Sequence, residues 1–313
     1  MGMYCFGIDV GGTSVKCGLF LTNGTLVEQW EIPTRLENNG SSILPDVADA
    51  IKTKLDERGI TKDNVDGVGI GIPGPVNENG EVPMAVNLHW GFKAVASELS
   101  ALTGLPAKAA NDANIAALGE AWKGAAEGAK NVILVTLGTG VGGGIIIDSK
   151  IIAGYHGAGG EIGHACVNHN EVRPCNCGNH GCLEQYSSAT GVVRCMKKLL
   201  DENPDTPCTL RGTEFAAKDV FDAARNGDAL AAREVDEMTD TLGMALANVA
   251  NTVDPEMFMI GGGVSRAGDV LFAPLREHFK VYAFKSCRET PIVPAILGND
   301  AGIYGSVRLI VGE

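Results

Sequence analysis

The feature that most constrains the fold is a pattern of strand, glycine turn and strand that occurs twice in the chain. The first copy covers residues 4–21, with its glycine turn at 11–13. The second copy covers residues 131–147, with its glycine turn at 138–140. Repeated α/β units predict two lobes with a cleft between them, and we expect the boundary near residues 112–130.

The spacing of apolar residues predicts the remaining elements. A continuous apolar run at 65–72 is typical of a strand buried in a parallel sheet. The 3.6-residue period of 228–252 indicates a helix with one core face. Further strands are predicted at 26–32, around 107, at 257–260 and at 291–296. Further helices are predicted at 43–55, 95–103, 112–124, 184–200, 216–226, 268–279 and 300–311.

Three glycine clusters each follow a predicted strand. Such turns expose backbone amides, which bind phosphate oxygens without much positive charge. In the first cluster, Asp9 is placed to act on Mg²⁺, Thr13 adds a hydroxyl and Lys16 adds a phosphate contact. Plain tight turns are the alternative, and neither a Walker A loop nor a dinucleotide fingerprint is present. The predicted nucleotide-binding residues are Asp9, Gly11, Gly12, Thr13, Lys16, Gly138, Thr139, Gly140, Gly261, Gly262 and Gly263.

Asp112 is the carboxylate best placed for chemistry. It stands at the start of a predicted helix, where Asp is also a common N-cap, so a purely structural role is the alternative. At a cleft, the same carboxylate would act as a base toward a substrate hydroxyl. Amide and carboxylate side chains without a cluster of arginines favour an uncharged polyol over a sugar phosphate. The predicted polar partners of this polyol are Asn87, Asn111, Glu161, His164 and Glu184.

One histidine and three cysteines fall within nineteen positions, in the pattern H-x10-C-x-C-x4-C. This set suits a closed, tetrahedral structural zinc site with the ligands His164, Cys175, Cys177 and Cys182. A disulfide with spare thiols is the alternative. The odd total of nine cysteines, in a chain expected to be cytosolic, favours the metal. Three neighbours remain open as alternatives for the fourth ligand: Cys166, His169 and His180.

Composition excludes several classes of partner. The net charge is −13 and no basic patch is evident, which argues against nucleic acid. No apolar run reaches membrane-spanning length, so we expect no membrane association. The start of the chain lacks the pattern of a signal peptide, and a cytoplasmic location is therefore expected.

Six segments resemble the ROK family of bacterial sugar kinases and repressors, most closely its glucokinases from Gram-positive bacteria. Two of them, Gly159-Gly-Glu-Ile-Gly-His164 and Cys175-Asn-Cys-Gly-Asn-His-Gly-Cys-Leu-Glu184, contain the zinc pattern and are highly specific. The other four lie at 9–18, 71–76, 111–119 and 137–144. The resemblance spans essentially the whole chain.

The resemblance implies an α/β fold of the actin-like, hexokinase-type ATPases, in which two ribonuclease-H-like lobes close over sugar and ATP. We expect a small N-terminal lobe at 1–115, on which a C-terminal helix at 300–313 packs. We expect a large lobe at 116–299, with a zinc loop at 164–182. By the same resemblance, Asp112 is the catalytic base. The matching sugar contacts and zinc ligands are those predicted above, and His164 would serve zinc with one ring nitrogen and sugar with the other.

The implied reaction is transfer of the γ-phosphoryl group of MgATP to the 6-hydroxyl of glucose, the first step of glycolysis. The expected cofactors are ATP, Mg²⁺ and a structural Zn²⁺, with polyphosphate as an alternative donor. Another neutral sugar is an alternative acceptor: fructose, mannose, allose or N-acetylmannosamine. We expect a homodimer or homotetramer.

Two alternatives would not be kinases. A sugar-responsive repressor of the same family would carry a helix-turn-helix domain ahead of Asp9, for which we expect no room, and its charge would suit DNA better. A pure sugar-binding or scaffold protein would have no need for both Asp9 and Asp112.

Overall fold

The computed structural model describes residues 2–312, and its residues group by their contacts into two compact units. Unit 1 holds the described residues up to Val132, Gly144–Gly160 and those from Ile296 onward. Unit 2 holds Ile133–Gly143 and Glu161–Ala295. This grouping assigns residues 116–132 and 144–160 to unit 1, whereas the sequence-based division placed them in the large lobe. Met1 and Glu313, which the predicted lobes include, lie outside the described residues.

Within residues 2–312, the strands form two sheets of five strands each. The first sheet has the order β3-β2-β1-β4-β5, and the second has the order β10-β9-β6-β7-β8. Read from its other edge, the second sheet repeats the order of the first, so the sequence repeat extends to the whole sheet. The strands are β1 Tyr4–Val10, β2 Ser14–Leu21, β3 Leu26–Pro33, β4 Val65–Ile72, β5 Ala107–Asn111, β6 Val132–Leu137, β7 Val141–Ile147, β8 Lys150–Ile151, β9 Met257–Gly261 and β10 Ile292–Pro294.

The helices lie close to the positions that apolar spacing predicted. Short 3₁₀ turns, among them Val86–Leu88, Ile162–His164 and Val264–Ala267, add to them. The α-helices are α1 Glu37–Gly40, α2 Ile43–Arg58, α3 Val95–Thr103, α4 Asp112–Lys123, α5 Glu184–Ser187, α6 Ala189–Glu202, α7 Ala217–Arg225, α8 Ala229–Val253, α9 Asp269–Tyr282 and α10 Ala301–Val311.

One prediction was wrong in detail, because a single helix at 184–200 is broken at Ser188. Ser188 has extended backbone angles, φ −78° and ψ 165°, which end α5. Its hydroxyl accepts a hydrogen bond from the backbone N–H of Gly191 at 3.0 Å and so caps α6. Serine is a preferred N-cap, and the apolar period alone did not reveal that it interrupts the run.

Side chains of β1 alternate between two packed faces of the first sheet, as the two-residue period of a strand requires. Phe6 and Ile8 belong to a core cluster shared with α2 and α3. Cys5 packs on the opposite face, in a cluster that contains Ile303 of α10. The hydroxyl of Ser306, also in α10, donates a hydrogen bond to the carbonyl of Ile8 at 2.8 Å.

The approach of α10 to β1 is close where β1 ends. A Cβ atom added to Gly302 would lie 2.2 Å from Oδ2 of Asp9, so only glycine leaves room there for the carboxylate. Asp9 lies four residues after Cys5 in β1 and so points to the same face of the sheet, which is the face that α10 covers. The C-terminal helix therefore forms one wall around the Asp9 carboxylate.

Unit 2 is built around α8, which packs against α6, α7 and α9. Its buried stripe includes Val235, Met238, Leu242 and Leu246, as the helical period predicted. Phe258 of β9 meets Phe279 of α9 edge to face, with ring centroids 5.8 Å apart. Among residues 2–312, no helix has the length and apolar composition needed to cross a bilayer.

Candidate active site and metal centre

Asp112 is the first residue of α4, and the helix cap is its neighbour Asn111. Oδ1 of Asn111 accepts a hydrogen bond from the backbone N–H of Asn114 at 3.1 Å, which is the N-cap interaction. The N-cap position is therefore occupied by Asn111, while Oδ1 of Asp112 accepts a hydrogen bond from the backbone N–H of Ala113 at 2.8 Å. The amide nitrogen of Asn111 donates to Oδ1 of Asp112 at 2.9 Å and to the carbonyl of Gly74 at 3.0 Å. Asn111 thus ties the Asp112 carboxylate to the segment that follows β4.

Asp9 and Asp112 both belong to unit 1, and their carboxylates interact electrostatically. Burial, and to a smaller extent the negative charge of Asp112, raise the pKa of the Asp9 carboxyl to about 7. The positive charge of Lys16 acts against this rise in the pKa. Two carboxylates that repel each other electrostatically attract a divalent cation, and oxygen ligands are those that Mg²⁺ prefers.

The first glycine turn joins β1 to β2. The backbone N–H of Gly11 donates to the carbonyl of Ser14 at 3.0 Å, which closes the turn. The hydroxyl of Thr34 donates to the carbonyl of Gly11 at 2.7 Å, and its N–H donates to the carbonyl of Thr13 at 3.0 Å. Gly12 and Thr13 are exposed, so this turn presents free surface next to Asp9.

In this structure, Lys16 contacts the two residues that directly precede α10. Its ammonium donates to the carbonyl of Asn299 at 2.8 Å and lies 3.0 Å from Oδ1 of Asp300. The lysine side chain is 16% exposed. A contact between Lys16 and a phosphate would therefore compete with Asn299 and Asp300. No pattern in the sequence indicated these two partners.

Asn87 stands apart from these groups in the chain, in the 3₁₀ turn Val86–Leu88. Its side chain is exposed, and the turn ends at His89, whose φ of 58° is left-handed. The flanking residues Ala85 and Trp90 pair across the turn, and the indole N–H of Trp90 donates to the carbonyl of Gly40 at 3.1 Å. The base of the turn is thereby fixed while Asn87 faces solvent.

In unit 2, the second glycine turn is joined to Glu184. Oε2 of Glu184 accepts a hydrogen bond from the backbone N–H of Val141 at 3.0 Å. A Cβ atom added to Gly140 would lie 2.2 Å from that same oxygen, so a larger residue there would displace the Glu184 carboxylate. The turn is also held by the backbone N–H of Ala189, which donates to the carbonyl of Gly138 at 2.8 Å, and by the Thr190 hydroxyl on the carbonyl of Thr139.

The third glycine cluster lies beside the second. A Cβ atom added to Gly262 would lie 2.4 Å from the carbonyl oxygen of Leu137, the last residue of β6. The hydroxyl of Ser265 donates to the carbonyl of Gly262 at 2.8 Å. The fold of unit 2 therefore brings the turns at 138–140 and 261–263 together, although they are distant in the chain.

The predicted zinc ligands converge in unit 2. The ligand atoms of His164, Cys175, Cys177 and Cys182 all lie within 4.8 Å of one another. The sulfurs of Cys177 and Cys182 are 3.6 Å apart, and Nδ1 of His164 is 3.8 Å from the sulfur of Cys175. Tetrahedral zinc with bonds of about 2.3 Å to sulfur places neighbouring ligand atoms roughly 3.8 Å apart. Both the donor set and its spacing fit zinc.

The alternatives for this site are resolved by the same geometry. All nine cysteines lie within residues 2–312 and are free, so the disulfide alternative is wrong. The cluster contains His164, whereas Nδ1 of His169 pairs with the sulfur of Cys166 at 3.5 Å outside it. His180 is exposed and is likewise outside the cluster.

Two of the predicted sugar contacts, Glu161 and Glu184, lie next to the metal ligands His164 and Cys175. Nδ1 of His164 faces the sulfurs, and Nε2 lies 3.9 Å from Oε2 of Glu161. Oε1 of Glu184 lies 3.8 Å from the sulfur of Cys175. The carboxylates of Glu161 and Glu184 thus both lie beside the metal cluster.

Two functional features escaped sequence reasoning. Glu120 is fully buried in α4, where Oε2 accepts from the backbone N–H of Ala125 at 2.8 Å and Oε1 from that of Leu297 at 2.7 Å. Glu120 therefore links α4, the helix that begins at Asp112, to the segment that precedes α10. The partner of Lys16, Asp300, was missed as well. Both contacts join residues far apart in the chain, and only an alignment of coupled positions would have signalled them.

Comparisons with known proteins agree with this architecture. A ROK family glucokinase from Streptomyces griseus, solved in complex with glucose and AMPPNP, matches with a TM-score of 0.74 and 33% identity, covering 98% of each chain. The "Glucokinase" of Halalkalibacterium halodurans is 44% identical over 309 residues, which cover 97% of this chain and 94% of that protein. A "Xylose repressor" from Caldicellulosiruptor bescii is 31% identical, with 98% of this chain and 78% of that protein covered.

The fold and site together define a two-lobed α/β protein of the hexokinase type with a zinc-binding loop. The model of the ROK family matches residues 5–313. The chain belongs to the ROK family.

Proposed function

We propose that this protein is an ATP-dependent glucokinase, which transfers the γ-phosphoryl group of ATP to the 6-hydroxyl of glucose. The observation that carries the proposal is the Asp112 carboxylate, which begins α4 but is relieved of the capping role by Asn111. The 44% identity with the Halalkalibacterium halodurans glucokinase, over almost the full length of both chains, supports glucose as the acceptor. A cytoplasmic location is part of the same proposal.

Asp112 is the proposed general base. A carboxylate within hydrogen-bonding distance of the acceptor hydroxyl takes its proton as the new O–P bond forms. The amide of Asn111 occupies one side of Oδ1, at 2.9 Å, and so fixes the rotation of the carboxylate. This holds Asp112 in one orientation before the sugar binds, which lowers the entropic cost of reaching the reactive geometry.

The glycine turns are the proposed phosphate-binding elements. The residues are Asp9, Gly11, Gly12, Thr13 and Lys16 in unit 1, and Gly138, Thr139, Gly140, Gly261, Gly262 and Gly263 in unit 2. Their backbone amides offer hydrogen bonds to phosphate oxygens without adding side-chain charge. When bound, Mg²⁺ supplies positive charge that offsets the phosphoryl oxygens. Asp9 is the carboxylate placed to hold it or its waters.

The proposed sugar contacts are Asn87, Asn111, Glu161, His164 and Glu184. Glu184 is oriented by the backbone N–H of Val141, and His164 by the sulfur cluster to which its Nδ1 points. His164, Cys175, Cys177 and Cys182 would hold the zinc, which supplies structural cross-linking of the loop when bound. With Nδ1 so engaged, Nε2 of His164 is left to face Glu161 and a sugar hydroxyl.

A coupled assay with ATP and a panel of sugars tests the proposal. Glucose is expected to give the highest kcat/KM among glucose, fructose, mannose, allose and N-acetylmannosamine, and polyphosphate is expected to replace ATP poorly. The Asp112→Asn variant serves as the matched inactive control. A higher kcat/KM for another sugar would assign a different kinase of the family, and no turnover with any sugar would contradict the kinase proposal altogether.

A further inference from the structure

Unit 2 contains a cavity that the proposed reaction does not use. Its volume is about 340 Å³, within the range of pockets that hold small molecules. Its walls are α6, α8 and the segment between Asn168 and Tyr186. Leu199 and Met238 contribute apolar surface, and most of the remaining lining side chains are charged.

Glu234 is the unusual member of this lining. The residue is 2% exposed, and its side chain lines the cavity from α8. Within residues 2–312, its carboxyl group has no hydrogen-bond donor and no ion-pair partner. Burial, together with the smaller effect of the Glu237 charge and against the opposing effect of Arg194, raises the pKa of Glu234 to about 8. A buried carboxyl group without a partner is costly, and such groups in native proteins need an explanation.

The other acidic groups of the cavity already have partners. Oε2 of Glu171 accepts from the hydroxyl of Tyr186 at 2.7 Å. Oε1 of Glu237 accepts from Nε of Arg233 at 2.7 Å, and Oδ1 of Asp240 accepts from the hydroxyl of Tyr282 at 2.8 Å. Glu202 lies 3.7 Å from the ammonium of Lys198. Glu234 therefore stands out as the lining carboxyl group that the protein leaves for a ligand.

The two basic side chains of the cavity, Arg194 and Lys198, do not pair with Glu234, because each has other partners. The Arg194 guanidinium donates to the carbonyl of Gln185 at 2.6 Å, lies over the ring of Tyr186 and approaches Glu171 at 3.6 Å. Lys198 is 70% exposed and lies beside Glu202. The lining carries five carboxyl groups and two basic groups, which are Glu171, Glu202, Glu234, Glu237 and Asp240 against Arg194 and Lys198.

We propose that this cavity binds a small organic ammonium ion of diamine size, with Glu234 as the carboxylate that accepts its hydrogen bonds. An ammonium group supplies the donors and the positive charge that Glu234 lacks. The apolar surfaces of Leu199 and Met238 suit the methylene chain, and the acidic groups near the rim suit a second ammonium group. This inference does not depend on the proposed kinase activity.

Binding should release a proton. Near neutral pH the empty cavity holds Glu234 mainly as the neutral acid, because its pKa is raised to about 8. The ammonium ion stabilises the carboxylate, so the carboxyl proton passes to the buffer while the ligand stays charged. The other acids of the lining, Glu171, Glu202, Glu237 and Asp240, have partners, and its bases are Arg194 and Lys198. Burial raises the pKa of Cys195 to about 11 and that of Tyr186 to about 12, so Glu234 is the group expected to change state near neutral pH.

Titration calorimetry of the intact protein with 1,4-diaminobutane tests the proposal. We expect one site per chain, and an enthalpy that varies with the ionisation enthalpy of the buffer at pH 7 because a proton is released. Glu234→Gln preserves the shape but not the charge, and should weaken binding about 10-fold or more, the loss of a charge-assisted hydrogen bond. Glu277→Gln, a 76% exposed side chain outside the cavity, is the matched control for net charge and should bind as the wild type does.

The outcomes separate the alternatives. Failure of 1,4-butanediol, the uncharged analogue, to bind would support the ammonium requirement. Absence of saturable diamine binding, or equal affinity in Glu234→Gln, would overturn the proposal. Tight binding of K⁺ or Mg²⁺ that depends on Glu234 and excludes the diamine would overturn it too, in favour of a metal. Proton release is measured on the wild-type protein, so the proposal can still be tested if the Glu234→Gln variant folds poorly.

Discussion

Asn111 donates a hydrogen bond from its amide nitrogen to Oδ1 of Asp112 at 2.9 Å, while its own Oδ1 caps the helix that Asp112 begins. One side chain thus has two functions, because it caps the N-terminus of α4 and orients the proposed base. The two tasks can be separated by substitution, because they use different atoms of the same amide.

The first prediction concerns the base itself. Asp112→Asn keeps the shape of the side chain but cannot accept the hydroxyl proton. We expect kcat to fall on the order of 10²-fold or more, with the melting temperature nearly unchanged, because Asn111 retains the cap. Steady-state kinetics and a thermal melt measure the two quantities. A folded variant with near-normal kcat would mean that Asp112 is not the base.

The second prediction separates orientation from capping at Asn111. Asn111→Ser retains a good N-cap hydroxyl but loses the amide that holds Asp112. We expect kcat to fall by roughly 10-fold, because the base loses the amide that orients it, and the unfolding free energy to fall by about 1 kcal/mol, because the contact with the carbonyl of Gly74 is lost as well. Asn111→Ala, which loses both functions, should in addition lower the unfolding free energy by about 1 kcal/mol. Equal activity of the serine variant and the wild type would show that the amide contact has no role in orientation.

The third prediction concerns the metal. We expect about one zinc per chain after exhaustive dialysis, because three sulfurs and Nδ1 of His164 converge at tetrahedral spacing. Cys177→Ala should lose this zinc, whereas Cys166→Ala, outside the cluster, should retain it. Elemental analysis measures both. A fully active, metal-free wild-type protein would contradict the assignment.

The fourth prediction couples zinc to sugar binding. Loss of zinc in Cys177→Ala frees the ring of His164 and loosens Glu184, whose Oε1 lies 3.8 Å from the sulfur of Cys175. We expect glucose affinity to fall far more than affinity for a non-hydrolysable ATP analogue. Calorimetric titration with each ligand measures the difference. Parallel loss of both affinities, following a general loss of stability, would mean that zinc merely holds the unit together.

The fifth prediction concerns pH. The folded protein keeps a proton on Asp9 up to a pKa of about 7, whereas the unfolded chain releases it near pH 4. The folded state therefore binds more protons between these values, and stability falls as pH rises from 4 to 7, by up to about 4 kcal/mol for this group. Asp9→Asn should remove much of this slope in zinc-bound, nucleotide-free protein. Urea denaturation at pH 5 and pH 8 provides the comparison, and equal slopes in both proteins would exclude Asp9 as the source.

The sequence predicted element types well because apolar periodicity is a local property. The strand at Tyr4–Val10, the strand at Val65–Ile72 and the helix at Val95–Thr103 all have the predicted bounds. The break at Ser188 and the short strand Lys150–Ile151 were missed, because a cap inside an apolar period and a two-residue strand leave no periodic signal.

The sequence predicted less about how the site is held. It placed Asp112 at a helix start but did not distinguish the base from the cap, since Asn111 and Asp112 are both good caps. It interpreted Lys16 as a phosphate contact without its partner Asp300, which lies 284 residues away. The four metal ligands were predictable because they are close in the chain, whereas the Glu120 contact to Leu297 depends on the finished fold.

The position of α10 has a consequence for how this chain is made. Unit 1 is completed by residues from Ile296 onward, which leave the ribosome only after the whole of unit 2 has been synthesised. Until then, β1 lacks the helix whose Ser306 bonds to Ile8 and whose Gly302 accommodates Asp9. The first half of unit 1 must therefore wait for α10 with one face of its sheet uncovered. A nascent chain would thus be unable to use its Asp9 carboxylate before the last helix has emerged.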